Sequence, residues 1–242
     1  MDCKEKHLRS VLSEPNFNEL MIFYSPYFKD QDSCIEYLYS VLRHEPPHTI
    51  GFYDDDVCIL DINGQVLTDD VFIPKRMLNA VQRFVSVAND IDTIRPGDDP
   101  FKIIFLITCI ESLQTQRSKI FKTKRNMIVD FFDTFTSFDD SEYIRNHFET
   151  NPDDFYDIPK SGPVLLAEAL YAIRNAAVHN GDCWDLLFPD NNMDLLITVP
   201  GKNHQSERKC YINGISYSKL EHIFVRTCMK LISHYVSEER KQ

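Results

Sequence analysis

Glycine is scarce in this chain, at 7 of 242 residues, and proline is modest at 12. That excludes collagen-like and low-complexity architectures. No apolar run reaches the roughly 18 residues that a membrane-spanning helix needs. The longest candidate, Ile103–Ile110, reads as the face of a buried helix. The opening Met1-Asp2-Cys3-Lys4-Glu5-Lys6 is charged and no apolar stretch follows it, so no signal peptide and a cytoplasmic location are expected. The seven cysteines (Cys3, Cys34, Cys58, Cys109, Cys183, Cys210 and Cys228) contain no C-x-x-C pair. Their odd number and scatter exclude a zinc ribbon and fit free, mostly buried thiols in a reducing compartment. Positive charge is also short: 26 Lys and Arg against 37 Asp and Glu leave a net charge of -11. A dominant basic field, as in a sequence-independent duplex binder, is not expected, and any nucleic acid must be held by a local patch. G-x-G-x-x-G, P-loop, G-x-S-x-G and H-E-x-x-H motifs are absent, so no cofactor and no metal site are expected.

What is present describes a globular protein with a core. The chain is 43% hydrophobic and 26% charged, with a mean hydropathy of -0.31. That suits one large domain, or one domain with a small appendage. No internal repeat occurs at periods of 20 to 50 residues. Asp30–Arg43 is predicted as an amphipathic helix stopped by Pro46-Pro47. Apolar runs flank Asp61-Ile62-Asn63-Gly64, and Asn-Gly between such runs predicts a hairpin. A helix is predicted from Pro74 to about Ala88. The acidic, Pro-Gly-containing stretch Asn89–Pro100 reads as a loop and as the boundary between residues 1–95 and 96–242.

Beyond that boundary the pattern is helical. Helices are predicted from Phe101, from about Ser118 to Phe135, over Ser141–Glu149, from Ser161-Gly162-Pro163 to Asn180-Gly181, and from about Ser218 to Glu238. Asn151–Pro159 reads as an acidic, aromatic loop, and a second hairpin is expected between Leu195–Val199 and Lys209–Asn213. The expected fold is mainly α: a helical bundle, with a smaller mixed α/β N-terminal part and one or two β-hairpins.

The sharpest chemical feature is Ile173-Arg174-Asn175-Ala176-Ala177-Val178-His179-Asn180-Gly181. Three polar groups stand on a helix otherwise made of Ala, Leu, Val and Ile. On an α-helix Asn175 and His179 share a face, and Arg174 lies about 140° from His179 around the axis. Arg recognises phosphate oxygens through its planar fork, and His titrates near neutrality. The competing reading is a structural Arg paired to an acid, with a His near a helix C-terminus that suits its cationic form. With 12 Arg and 8 His in the chain, an R-x4-H pair is expected by chance roughly 0.4 times, and with Asn in second place about 0.02 times. A second pair, Arg43 to His48, spans Pro46-Pro47 and cannot be helical.

This motif, with Gly181 after it, resembles the signature of the HEPN superfamily. The upstream Phe105-Leu106-Ile107-Thr108-Cys109-Ile110-Glu111-Ser112-Leu113 is similar to the apolar helix of its Apea-like branch. The resemblance covers about Pro100 to Gly181 and extends to the last helix. It implies metal-independent RNA cleavage by two protomers that share a cleft, hence a homodimer. By this resemblance His179 moves protons around the ribose 2′-OH and the leaving 5′ oxygen. Arg174 stabilises the phosphate, and Asn175 orients His179 or a phosphate. Glu111 is a candidate partner of Arg174 or His179. Arg117, Lys119, Lys122, Lys124 and Arg125 form the one sizeable basic run and are candidate RNA contacts, with a solvated helix face as the plain alternative. The implied setting is toxin–antitoxin or anti-phage defence, with an antitoxin or other defence protein as a further partner and no membrane. Two rivals stand beside it: a catalytically silent module of the same type that binds RNA, nucleotide or protein, and a plain helical dimer. Asp54-Asp55-Asp56, Phe131–Phe138, Phe155-Tyr156 and Trp184 carry packing or turn readings by default.

Overall fold

The structure, a computed structural model, describes residues 2–53, 56–97, 99–117, 119–150, 162–180, 188, 194–200 and 207–239. It is mainly helical. The chain divides into two compact units, Met1–Gln82 with Ile232–Gln242, and Arg83–Leu231.

In the first unit three helices pack on one another: α1 (Cys3–Val11), α2 (Glu14–Tyr24) and α3 (Gln31–Leu42). Each begins where a side-chain oxygen takes up a free helical N–H. Asp2 accepts from Cys3, Ser13 from Asn16 and Asp30 from Ser33. Ser33 also donates its hydroxyl to Asp30, and these bonds hold the Asp30 carboxyl below the usual carboxylate range. The core includes Leu8, Leu20, Tyr24, Leu38 and Leu42, all fully buried. The Tyr24 hydroxyl donates to the Leu78 carbonyl at 3.0 Å, which satisfies its one polar atom inside that core. Leu78 belongs to α4 (Ile73–Ile94).

The Asn-Gly turn forms, with Gly64 at φ 78° and the Asp61 carboxylate accepting from the Asn63 and Gln65 N–H groups at 2.8 Å. Its second arm is only a single bridge, Leu60 to Val66. The full antiparallel partner of β2 (Asp56–Asp61) is instead β1 (His48–Tyr53), with Tyr53 opposite Asp56. The predicted hairpin was thus displaced by one strand. Val66-Leu67 is too short to compete with the six-residue run before it. The N-terminal helix boundaries also move: α4 runs to Ile94, because the first helix breakers after Ala88 are Pro96 and Gly97.

In the second unit the helices are α5 (Asp99–Gln116), α6 (Lys124–Phe135), α7 (Phe138–Asn146), α8 (Gly162–Asn175) and α9 (Tyr217–His234). Strands β3 (Phe148–Thr150), β4 (Asp194–Pro200) and β5 (Glu207–Asn213) make an antiparallel sheet in the order β3-β5-β4. Leu195 faces Ile212 and Ile197 faces Cys210 in register, so the expected C-terminal hairpin forms and gains β3 as an edge. α6 starts at Lys124, not near Ser118: Thr123 caps it by accepting from Asn126 at 3.1 Å. α7 starts at Phe138, where the Ser137 hydroxyl accepts from the Asp140 N–H and donates to the Asp140 carboxylate. The stretches Asn151–Pro159, Ser161 and Trp184 lie outside the described residues.

The core of this unit holds Ile103, Leu106, Ile110, Phe131, Phe132, Leu166, Phe224 and Leu231. Phe131 meets Phe132 edge-on at 4.9 Å and Phe224 at 5.7 Å, so the aromatic run Phe131–Phe138 is core through α6, while Phe138 at the start of α7 is exposed. Cys109 and Cys228 are buried free thiols, and burial together with the neighbouring Cys109 pushes the Cys228 thiol up.

Gly162 opens α8 against the backbone of α7. A Cβ there would stand 2.7 Å from the Arg145 nitrogen and 3.0 Å from its Cα, and neither backbone atom can move without shifting α7. Gly162→Ala is expected to lower stability by about 1–3 kcal/mol through overpacking, read as a fall in the thermal unfolding midpoint against the wild type.

Candidate functional site

α8 is the element that carries the motif, and it is enclosed. α5, α6, α7 and β4 all pack against it. Leu166, Leu170 and Ile173 repeat at helical spacing, and with Ala167 and Ala169 they are buried. The small residues let neighbours approach closely. The Leu/Ala-rich sequence is what a helix packed on several sides requires.

Two polar features interrupt it. The first is Glu168, the only acid of α8, 6% exposed. It forms an ion pair with Arg125 from the first turn of α6. A carboxylate in that position demands a cationic partner, and the lone acid on an otherwise apolar helix was the sequence signal that could have found this pair.

The second is the motif. Arg174 and Asn175 are the last two α-helical residues and both are half-buried. The next five, Ala176–Asn180, form a π turn. Its hydrogen bonds close over five residues instead of four. Arg174 and His179 are five apart, so this wider winding narrows the angle of about 140° that α winding would leave between them. His179 is exposed, as is Val178 beside it. The Arg174 Nη1 donates to Asn175 Oδ1 at 3.2 Å. Among the described residues no carboxylate lies within salt-bridge distance of Arg174. Its charge therefore meets no acid among the described residues, and it stands at the C-terminal end of a helix, where the macrodipole favours a cation.

Glu111 sits on α5 and pairs with Lys124 at 2.9 Å; it is not joined to Arg174 or His179 by any ion pair. The basic run is also placed differently from a continuous helix. Arg117 follows α5, Lys119 and Lys122 lie on the connection, and Lys124 and Arg125 open α6. Lys119 pairs with Asp130 at 2.9 Å, Lys124 with Glu111 and Arg125 with Glu168. Arg117 donates to Gln114 at 2.9 Å and lies 5.1 Å from the Phe135 ring centre. Lys122 is exposed and, alone of the five, makes no ion pair or hydrogen bond among the described residues. Three of the five cations are tied to acids, Arg117 is held by Gln114, and Lys122 is free among the described residues.

Among the described residues no group of three or more His, Cys, Asp or Glu side chains could hold a metal, and no helix is long and apolar enough to cross a membrane. A buried ammonium does stand at the start of α5. Lys102, 4% exposed, bridges Asp92 at 2.6 Å and Asp99 at 2.9 Å and lies 4.4 Å from the Tyr217 ring centre. Asp99 in turn accepts from the Phe188 N–H at 2.5 Å. The two carboxylates outweigh burial and raise the Lys102 pKa, so it is a fixed cation and not an amine nucleophile. No family model, curated protein or solved structure matches this chain.

The pairings separate structural from free cations. Arg125→Ala removes the cation paired to the buried Glu168 carboxylate and should cost about 1–3 kcal/mol, half the Arg being solvated. Lys122→Ala should leave the thermal midpoint within about 0.5 kcal/mol of wild type. Denaturant unfolding of the two variants, side by side, checks both values.

Proposed function

We propose that this chain is a metal-independent endoribonuclease of the HEPN type, active as a homodimer, in which Arg174 and His179 act on the scissile phosphodiester. The observation that carries the reading is Arg174, with no acid partner among the described residues, five residues before an exposed His179 across a π turn. Neutral His179 takes the proton of the ribose 2′-OH. The freed oxygen attacks phosphorus and the P–O5′ bond breaks. A second, protonated His179 from the other copy gives its proton to the leaving 5′ oxygen. The products are a 2′,3′-cyclic phosphate and a 5′-OH. Arg174 offsets the extra negative charge on the pentacoordinate phosphorus. One His179 cannot be base and acid at once, so the chemistry calls for two copies about a two-fold axis, with a self-complementary interface. A cytoplasmic toxin or anti-phage role, with an antitoxin or other defence protein as regulator, fits this activity.

A second reading has one observation in its favour. Three of the five cations in the basic run are already tied to acids, which weakens it as a track for RNA and suits a catalytically silent module that binds nucleotide or protein.

His179→Ala and Arg174→Ala should each lower RNA cleavage by about 100-fold or more, with unchanged thermal midpoints and no effect of a chelator on the wild type. Full activity in both variants overturns the mechanism. Light scattering at micromolar concentration should give the mass of a dimer; a monomer that stays monomeric with RNA removes the shared cleft. For binding, Lys122→Ala should reduce the log–log salt slope on single-stranded RNA by about 0.7. An unchanged slope removes Lys122 as a phosphate contact.

A further inference from the structure

We infer that Asn175 is a positioning residue that acts through Arg174, and not through His179: its neutral side-chain oxygen fixes the guanidinium without quenching the charge. The inference deepens the ribonuclease reading and rests on it.

Neighbouring side chains on a helix do not face each other. The Arg174–Asn175 bond at 3.2 Å therefore needs the long Arg side chain folded across the surface toward its successor, a conformation among many open to a free Arg. Asn175 is also the last residue before the winding widens, so it marks the point at which Arg174 stays in the α-helix while His179 is carried around by the π turn. Both partners are half-buried, which reduces competition from water for the shared bond. The choice of acceptor then follows from charge. A carboxylate would hold the guanidinium more firmly but would cancel the charge that a phosphate must meet. An amide oxygen holds it and leaves the charge intact. Asn175 Nδ2 remains on the same group as a donor, yet no hydrogen bond joins it to His179.

The test uses the full chain, a cleavable RNA oligonucleotide, and the same oligonucleotide with 2′-deoxy sugars as an uncleavable probe. Asn175→Ala should lower kcat/KM about 10- to 100-fold by loosening orientation, while the pH–rate profile keeps its apparent pKa values. Asn175→Asp should weaken probe binding and flatten its salt slope by about 0.7, as if one cation had been removed. In a double-mutant cycle on probe affinity, adding Asn175→Ala to Arg174→Ala should cost nothing further. A moved pH profile, an additional loss in the Arg174→Ala background, or unchanged kcat/KM in Asn175→Ala overturns the inference. If the wild type neither cleaves nor binds RNA, the ribonuclease reading fails on its own, and nuclear magnetic resonance of the Arg174 guanidinium decides this one. Slow guanidinium rotation that Asn175→Ala abolishes supports positioning; identical rotation in both proteins overturns it.

Discussion

The second unit depends on the enclosure of α8. A helix with neighbours on several sides cannot afford polar side chains along its length, and α8 has α5, α6, α7 and β4 around it. Its sequence follows: small and aliphatic residues throughout, Gly162 at the contact with α7, and a single acid whose charge is met by Arg125. Among the described residues, the polar groups of this segment that no acid pairs stand at its end. Arg174, Asn175 and His179 are there. The position of the candidate site is thus set by packing before any chemistry is considered.

Charge is distributed to match. The acidic excess is concentrated in the first unit, with sixteen acidic residues against nine basic ones; the second has twenty-one against seventeen. Within the second unit, cations at the start of α5 and α6 are largely consumed by acids: Lys102 by Asp92 and Asp99, Lys124 by Glu111, Arg125 by Glu168, Lys119 by Asp130. Most of these pairs are partly exposed and contribute little each. Their effect on function is to subtract charge from a surface that looks basic in the linear sequence. Arg174, without such a partner among the described residues, stands out by contrast.

Much of this was legible in the sequence, and the failures have physical causes. Helical periodicity and cap residues located α3, α8 and α9 to within a few residues, because Asp30 and the Leu/Ala pattern are local signals. α6 was placed too early because Lys119–Lys122 has helix propensity, whereas Thr123 supplies a cap that decides the start. Strand pairing of β1 with β2 was missed because it depends on competition between two possible partners for one strand, which no local pattern records. The lone Glu168 on an apolar helix signals that a cation must meet it, but no local pattern says which one: Arg125 is 43 residues away. The π turn was invisible as well. Ala176-Ala177-Val178 favours helix, and nothing in it distinguishes five-residue from four-residue winding.

The helix end imposes a last constraint on any phosphate chemistry at this site. Backbone N–H groups and the positive pole lie at a helix N-terminus, which is why anions gather there. Arg174 and His179 lie at the opposite pole, where free carbonyls and the partial negative charge oppose a phosphate. Main-chain recognition is therefore unavailable from α8, and the side chains must supply the whole attraction. The same pole stabilises a cation, so it lowers the cost of keeping Arg174 charged and half-buried without an acid beside it. An acid at 175 would neutralise Arg174 while itself being opposed by the negative pole, leaving no net positive charge for an incoming phosphate to meet. An amide at 175, a cation at 174 and an imidazole at 179 are the combination in which the helix end favours positive charge and no acid among the described residues cancels it.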